Sequence, residues 1–254
     1  MLYLWLVLFG LAIGSFVNVV IARVPSGRSL TGRSACPHCG HTLAWYDLIP
    51  LVSFIWLRRR CRYCQRSISW QYFFVELYAG LVFPLSYRLL AGAGLSNWLY
   101  ALFFLMLFLT LFAIDLEHQL LPNGLIVAGL IVAIAYATWF RLWSADRLLA
   151  AALLFLFFFL LWYFSHGTWL GLGDAKLALL VGLIFGLNGG IIVIYTAITL
   201  GAFLGLLLLL FRRAGLKTRL PLGSFITLTA SLYLLWGNAI IKLDIPVYIL
   251  KLFK

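Results

Sequence analysis

Charge is what this chain has least of. Only 10 % of its 254 residues are Asp, Glu, Lys or Arg, and only seven are acidic. A soluble globular domain carries about a quarter charged residues, so that class is excluded. Cysteine is sparse too, four in all, which rules out a disulfide-stapled secreted scaffold. The apolar first 22 residues lack a basic stretch before them and a small-residue cleavage site after them; Arg23 and Arg28 follow instead. That pattern reads as a retained first span with its N-terminus outside, not as a cleaved signal peptide. No low-complexity tract or internal repeat stands out.

What is there is apolar sequence, at 65 % hydrophobic residues and a mean hydropathy of +1.06. Runs of the roughly 20 residues needed to cross a bilayer recur along the chain. The expectation is an all-α, polytopic helical membrane protein with about eight transmembrane helices, near 2–22, 71–91, 97–116, 122–140, 148–165, 175–187, 190–211 and 221–240. Its parts are a first span (1–22), a small water-facing insertion (23–70) and a membrane-embedded core (71–254); 240–254 reads as a surface segment. The stretch 175–187 is short, reaching about 20 Å against roughly 30 Å of hydrocarbon. It lies between a glycine-rich turn and Asn188-Gly189-Gly190, as expected of backbone that lines a cavity instead of facing lipid.

Basic residues fall in two clusters. Eight arginines lie between Arg23 and Arg66 against a single acid, Asp47; Arg212, Arg213, Lys217 and Arg219 form the second cluster. The positive-inside rule makes both loops cytoplasmic. Topology and anionic membrane lipids account for the charge, so no nucleic-acid partner is implied.

Acids at the ends of spans are expensive and are functional candidates. Asp115 ends the third span in "DLEHQLLPN", and Asp174 opens the sixth in "GLGD". Both lie at cytoplasmic ends, so they can meet. Taken singly, each is also a helix cap or a membrane-edge charge. Two carboxylates sharing one water can hydrolyse a peptide, one taking a proton and the other giving one. Helix ends assign Asp174, at an N-terminus, as base and Asp115, at a C-terminus, as the protonated partner, although such pairs titrate jointly. Gly171 and Gly173 leave room for an extended substrate and allow positive φ.

Cys36-Pro-His-Cys39 and Cys61-Arg-Tyr-Cys64 can close a four-thiolate structural zinc site. Disulfides are disfavoured on the reducing side, and His38 and His41 are alternative ligands. Zinc would hold an insertion too small to be stable through its own core. Glu76 either pairs with an arginine of the insertion or takes part in group transfer; Lys176 either tunes the aspartates or snorkels to the interface.

Together, "GSFVNVVIARVP" (14–25), the cysteine pairs, "DLEHQLLPN", "GLGD" and "LPLGSF" (220–225) resemble the type IV prepilin peptidases, a branch of the GxGD membrane aspartyl proteases. The resemblance covers nearly the whole chain. It implies an enzyme of the bacterial inner membrane that cuts the leader of prepilins or pseudopilins at the cytoplasmic face. Such an enzyme then N-methylates the new N-terminus with S-adenosylmethionine. Asp115 and Asp174 match the family's catalytic aspartates. Two departures matter: Asn123 replaces the usual Asp, and in "LRRRC" Arg59 replaces a Gly linked with methyl transfer, which makes Arg59 and Arg60 candidate accessory residues. From other classes, an ion-coupled transporter would need polar residues at the bilayer midplane, and a secretion or pilus-assembly scaffold would not need the aspartates.

Overall fold

The computed structural model describes residues 1–211 and 220–241. Among these the architecture is all-helical, with two isolated β-bridges and no strand. The helices are α1 (Leu2–Arg23), α2 (Val52–Trp56), α3 (Trp70–Leu90), α4 (Leu95–His118), α5 (Asn123–Trp139), α6 (Ala145–Phe164), α7 (Leu172–Leu210) and α8 (Leu222–Ile241). Five of them, α1, α3, α4, α6 and α7, are long and apolar enough to cross a membrane, while α5 and α8 are shorter apolar helices. The basic cluster at 212–219 and the segment after Ile241 lie outside the described residues.

The expected spans at 175–187 and 190–211 are drawn as one helical run, α7, interrupted at Gly186 with φ 69° and ψ −170°. Only glycine takes that backbone without strain. The break frees backbone groups, and the Asp146 carboxylate accepts the Leu187 N–H at 3.2 Å. The interruption therefore falls before the expected Asn188-Gly189-Gly190, where this distant carboxylate can cap the resuming helix.

The chain forms two compact units, Met1–Leu102 and Phe103–Lys254. In the first, α1 packs on α3 through small residues. A Cβ at Gly10 would meet the Ala79 carbonyl oxygen at 2.5 Å, and one at Gly14 would meet the Glu76 Cα at 2.9 Å. This small-xxx-small spacing lets backbones approach where no hydrophobic force drives helices together. Asn18 adds a hydrogen bond from Nδ2 to the Tyr72 carbonyl at 3.1 Å. In the second unit, α6 and α7 meet at Gly182, where a Cβ would lie 2.7 Å from the Ala150 backbone. Phe104, Phe108, Leu111, Leu177, Leu180 and Ile226 are fully buried in its core.

Candidate active site and metal centre

Asp115 lies in the last turn of α4 and is buried. Its Oδ2 accepts two hydrogen bonds from Ser224 in the first turn of α8, from the backbone N–H at 2.6 Å and from the hydroxyl at 2.9 Å. Asp174 lies in the first turn of α7, where its Oδ2 accepts the Gly171 N–H at 3.2 Å. That is a helix cap, so the capping role and a place in the site coexist.

Leu121 lies between the turn that carries Asp174 and the turn of α8 that holds Asp115. A Cβ at Gly173 would come within 2.9 Å of the Leu121 Cβ; one at Gly223 would come within 2.9 Å of both Leu121 Cδ1 and Asp115 Oδ2. Two expectations are corrected here. Gly171, with φ −82°, and Gly173, inside α7, do not use left-handed backbone; Gly173 is small because Leu121 packs on it. Helix ends do not separate the acids either, because Asp115, although it ends α4, also faces the N-terminal turn of α8.

In the first unit, one ligand atom from each of Cys36, Cys39, Cys61 and Cys64 lies within 4.8 Å of the others, and Cys36 and Cys64 are 3.8 Å apart. Tetrahedral zinc with Zn–S bonds of about 2.3 Å needs sulfurs about 3.8 Å apart. Each pair sits on the same turn. The Cys36 N–H donates to the His41 carbonyl at 3.0 Å and the Gly40 N–H to the Cys36 carbonyl at 2.9 Å. The Cys61 and Gln65 N–H groups repeat this with Arg66 and Cys61, both at 2.9 Å. Bridges Ala35–Thr42 and Arg60–Ser67 close the two turns, and Gly40 and Gln65 both take positive φ. The two turns are thus alike in backbone over eight residues each, although their sequences share only C-x-x-C.

The thiols divide in their titration. Burial opposes the Cys36 thiolate, but the Cys39 and His38 backbone groups and the neighbouring sulfurs bring it down to about 7. Cys64 is helped by the Arg66 backbone, yet burial and the other three sulfurs push it up to about 11. Four thiolates at this spacing need a cation, and the donor set fits a divalent metal. His41 stacks on Tyr63 instead, with ring centroids 3.7 Å apart.

Residues 8–89 match the model of the Bacterial Peptidase A24 N-terminal domain and residues 102–206 that of the Type IV leader peptidase family. A prepilin leader peptidase/N-methyltransferase of Aeromonas hydrophila is 33 % identical over 281 residues, covering 92 % of this chain and 91 % of the relative. One of Bacillus subtilis is 31 % identical over 243 residues, covering 93 % and 95 %. The chain belongs to the type IV leader peptidase family. A relative of the same name from Myxococcus xanthus is 40 % identical over 225 residues; the alignment covers 84 % of this chain and 65 % of that longer protein. No solved structure matches.

Against this leader peptidase identity the accessory residues sort clearly. Glu76 is buried on α3 and accepts the Leu51 N–H at 2.8 Å; among the described residues it makes no ion pair with an arginine, which corrects the favoured account. Asp47 pairs with Arg62 instead, at 2.8 Å. Arg59 has φ 59° and sets its guanidinium over the Trp70 ring, 5.4 Å from the centroid. That is left-handed backbone, which glycine alone adopts without strain. Arg60 is exposed beside its bridge to Ser67. Lys176 donates to the Asn123 side-chain oxygen at 2.8 Å, so the substituted Asn123 is its partner. His118 is exposed, 3.8 Å from Glu117. Ser224 is the site residue that sequence reasoning missed; its only signal was its place in "LPLGSF".

Proposed function

We propose that this chain removes the leader peptide of type IV prepilins or pseudopilins and N-methylates the new N-terminus, with Asp115 and Asp174 as the hydrolytic pair. The observation that carries the pairing is the packing of Leu121 against both Gly173 and Gly223, the second of which also abuts Asp115. Between the carboxylates one water is deprotonated by the ionised aspartate, and its oxygen attacks the scissile carbonyl. The protonated aspartate delivers its proton to the leaving nitrogen, and the pair exchanges roles. Ser224 fixes Asp115 through Oδ2, so the carboxylate meets the water at a set angle. Exposed Gly171 gives an extended peptide room beside the Asp174 turn.

The protein is a multi-pass inner-membrane protein. We read α7 as two spans meeting at Gly186, eight in all, with the aspartates on the cytoplasmic side. Cys36, Cys39, Cys61 and Cys64 would hold zinc as a structural ion that stabilises the insertion. S-adenosylmethionine supplies the methyl group for the new amine.

Mass spectrometry of a co-expressed prepilin tests the reading in one spectrum. Asp115→Asn and Asp174→Asn each leave the leader attached at normal expression, with cleavage falling by about 10²–10⁴-fold or more. Undiminished cleavage in either variant overturns it.

A further inference from the structure

The insertion contains an apolar stretch, residues 45–56, that the peptidase reading does not use. Phe54 turns inward and is buried, its ring 5.4 Å from both Trp70 and Phe73 of α3. Four large apolar side chains turn outward: Trp45 is 76 % exposed, Val52 55 %, Ile55 65 % and Trp56 80 %; Asp47 turns in to its ion pair with Arg62. Val52, Ile55 and Trp56 share one face of α2 by their i, i+3, i+4 spacing. In water this would be an unusually dense apolar surface for so small an element.

Its depth gives the reason. The Leu51 N–H donates to the Glu76 carboxylate at 2.8 Å, and Glu76 lies six residues inside α3. The Glu76 Cα lies about 9 Å along the helix from Trp70, and its side chain leans back toward the N-terminus, so Leu51 and Phe54 sit beside the first two turns of α3. The 21 residues of α3 rise about 31 Å, hardly more than the roughly 30 Å of hydrocarbon they would cross. The turn therefore rides alongside the first turns of a spanning helix. The apolar patch is also continuous with the outer face of that helix, because Trp70 packs on Phe74 at 5.9 Å and both are exposed. One residue on, after Leu57, come Arg58, Arg59 and Arg60. Exposed tryptophans with arginines beside them are the chemistry of a headgroup boundary, not of a protein groove.

We propose that residues 51–56 form an interfacial membrane anchor beside the first turns of α3. The Val52, Ile55 and Trp56 face enters the boundary of headgroups and acyl chains by about 5–10 Å, and Arg58, Arg59 and Arg60 meet anionic phospholipid phosphates. The Glu76–Leu51 hydrogen bond satisfies a backbone N–H on the side of the anchor that meets α3. The anchor requires only that α3 cross a bilayer, so it stands or falls separately from the peptidase chemistry.

Photocrosslinking of the full chain tests it, in nanodiscs of phosphatidylethanolamine and phosphatidylglycerol, with p-benzoylphenylalanine at position 56, 55, 74 or 38. Positions 55 and 56 should give phospholipid adducts at the level of position 74 on α3 and several-fold above position 38 in the first cysteine turn. Adducts at the level of position 38 overturn the proposal. So does loss of the lipid adducts in favour of a prepilin adduct when substrate is present, which would make the patch a protein-docking surface. Glu76→Leu removes the acceptor of the Leu51 N–H, and lower lipid adducts at 55 and 56 with those at 74 unchanged would support the role of Glu76; unchanged adducts at all three would overturn that role.

Discussion

The cysteine turns and the aspartate pair are two sites built by opposite means. Each cysteine turn is complete within eight residues: its hydrogen bonds run from the first cysteine to a residue four or five positions on, and the second turn repeats the first. The aspartate site is assembled from three helices, and its shortest hydrogen bond joins residues 109 apart in sequence. A local site depends on its ion and its turns, a distributed one on the exact approach of helices. The first should fail by losing its metal, the second by losing its spacing.

The largest expected effect tests the local half. Cys36→Ser combined with Cys61→Ser removes a ligand from each turn, and with it most of a metal-binding energy of about 10–16 kcal/mol. Metal content measured by mass spectrometry should drop to background and the insertion should become sensitive to protease, while a chelator leaves leader cleavage by already folded enzyme unchanged. Next come the aspartate variants, whose loss of cleavage should be accompanied by full metal content; a joint loss would erase the distinction between the sites. Gly223→Val drives a side chain against both Asp115 and Leu121. Overpacking of about 1–3 kcal/mol should slow cleavage by roughly 5- to 150-fold in a prepilin assay. Ser224→Ala keeps the backbone donor and loses the hydroxyl, worth about 1 kcal/mol and roughly a fivefold slower rate. The smallest change sharpens the local half: Arg59→Gly relieves about 1–2 kcal/mol of left-handed strain but gives up about 0.5–1 kcal/mol of contact with Trp70. Slightly slower proteolysis of the insertion would show the net gain.

What could be read from the sequence follows the same division. Apolar runs located nearly every helix, and two CxxC pairs were enough to bring four sulfurs together, because both signals are local. The sequence also put Asp115 and Asp174 at helix ends that can meet. It could not show Ser224 on Asp115, because that bond depends on where α8 packs. Nor could it show Glu76 held by Leu51 in place of an arginine, since the partner is a backbone N–H carried there by the fold of the insertion. The α7 break was misplaced for a similar reason: Asn188-Gly189-Gly190 looks like the weak point, but Asp146, far away in sequence, offers its carboxylate at Leu187.

That break also resets the phase of α7. Along an unbroken helix, inserting one residue turns everything beyond it by about 100° relative to what came before. Here the backbone loses its screw sense at Gly186 and starts again under the Asp146 carboxylate. The faces presented before and after Gly186 therefore do not follow one helical register, and the rotational setting of Asp174 belongs to the half of α7 that precedes the break.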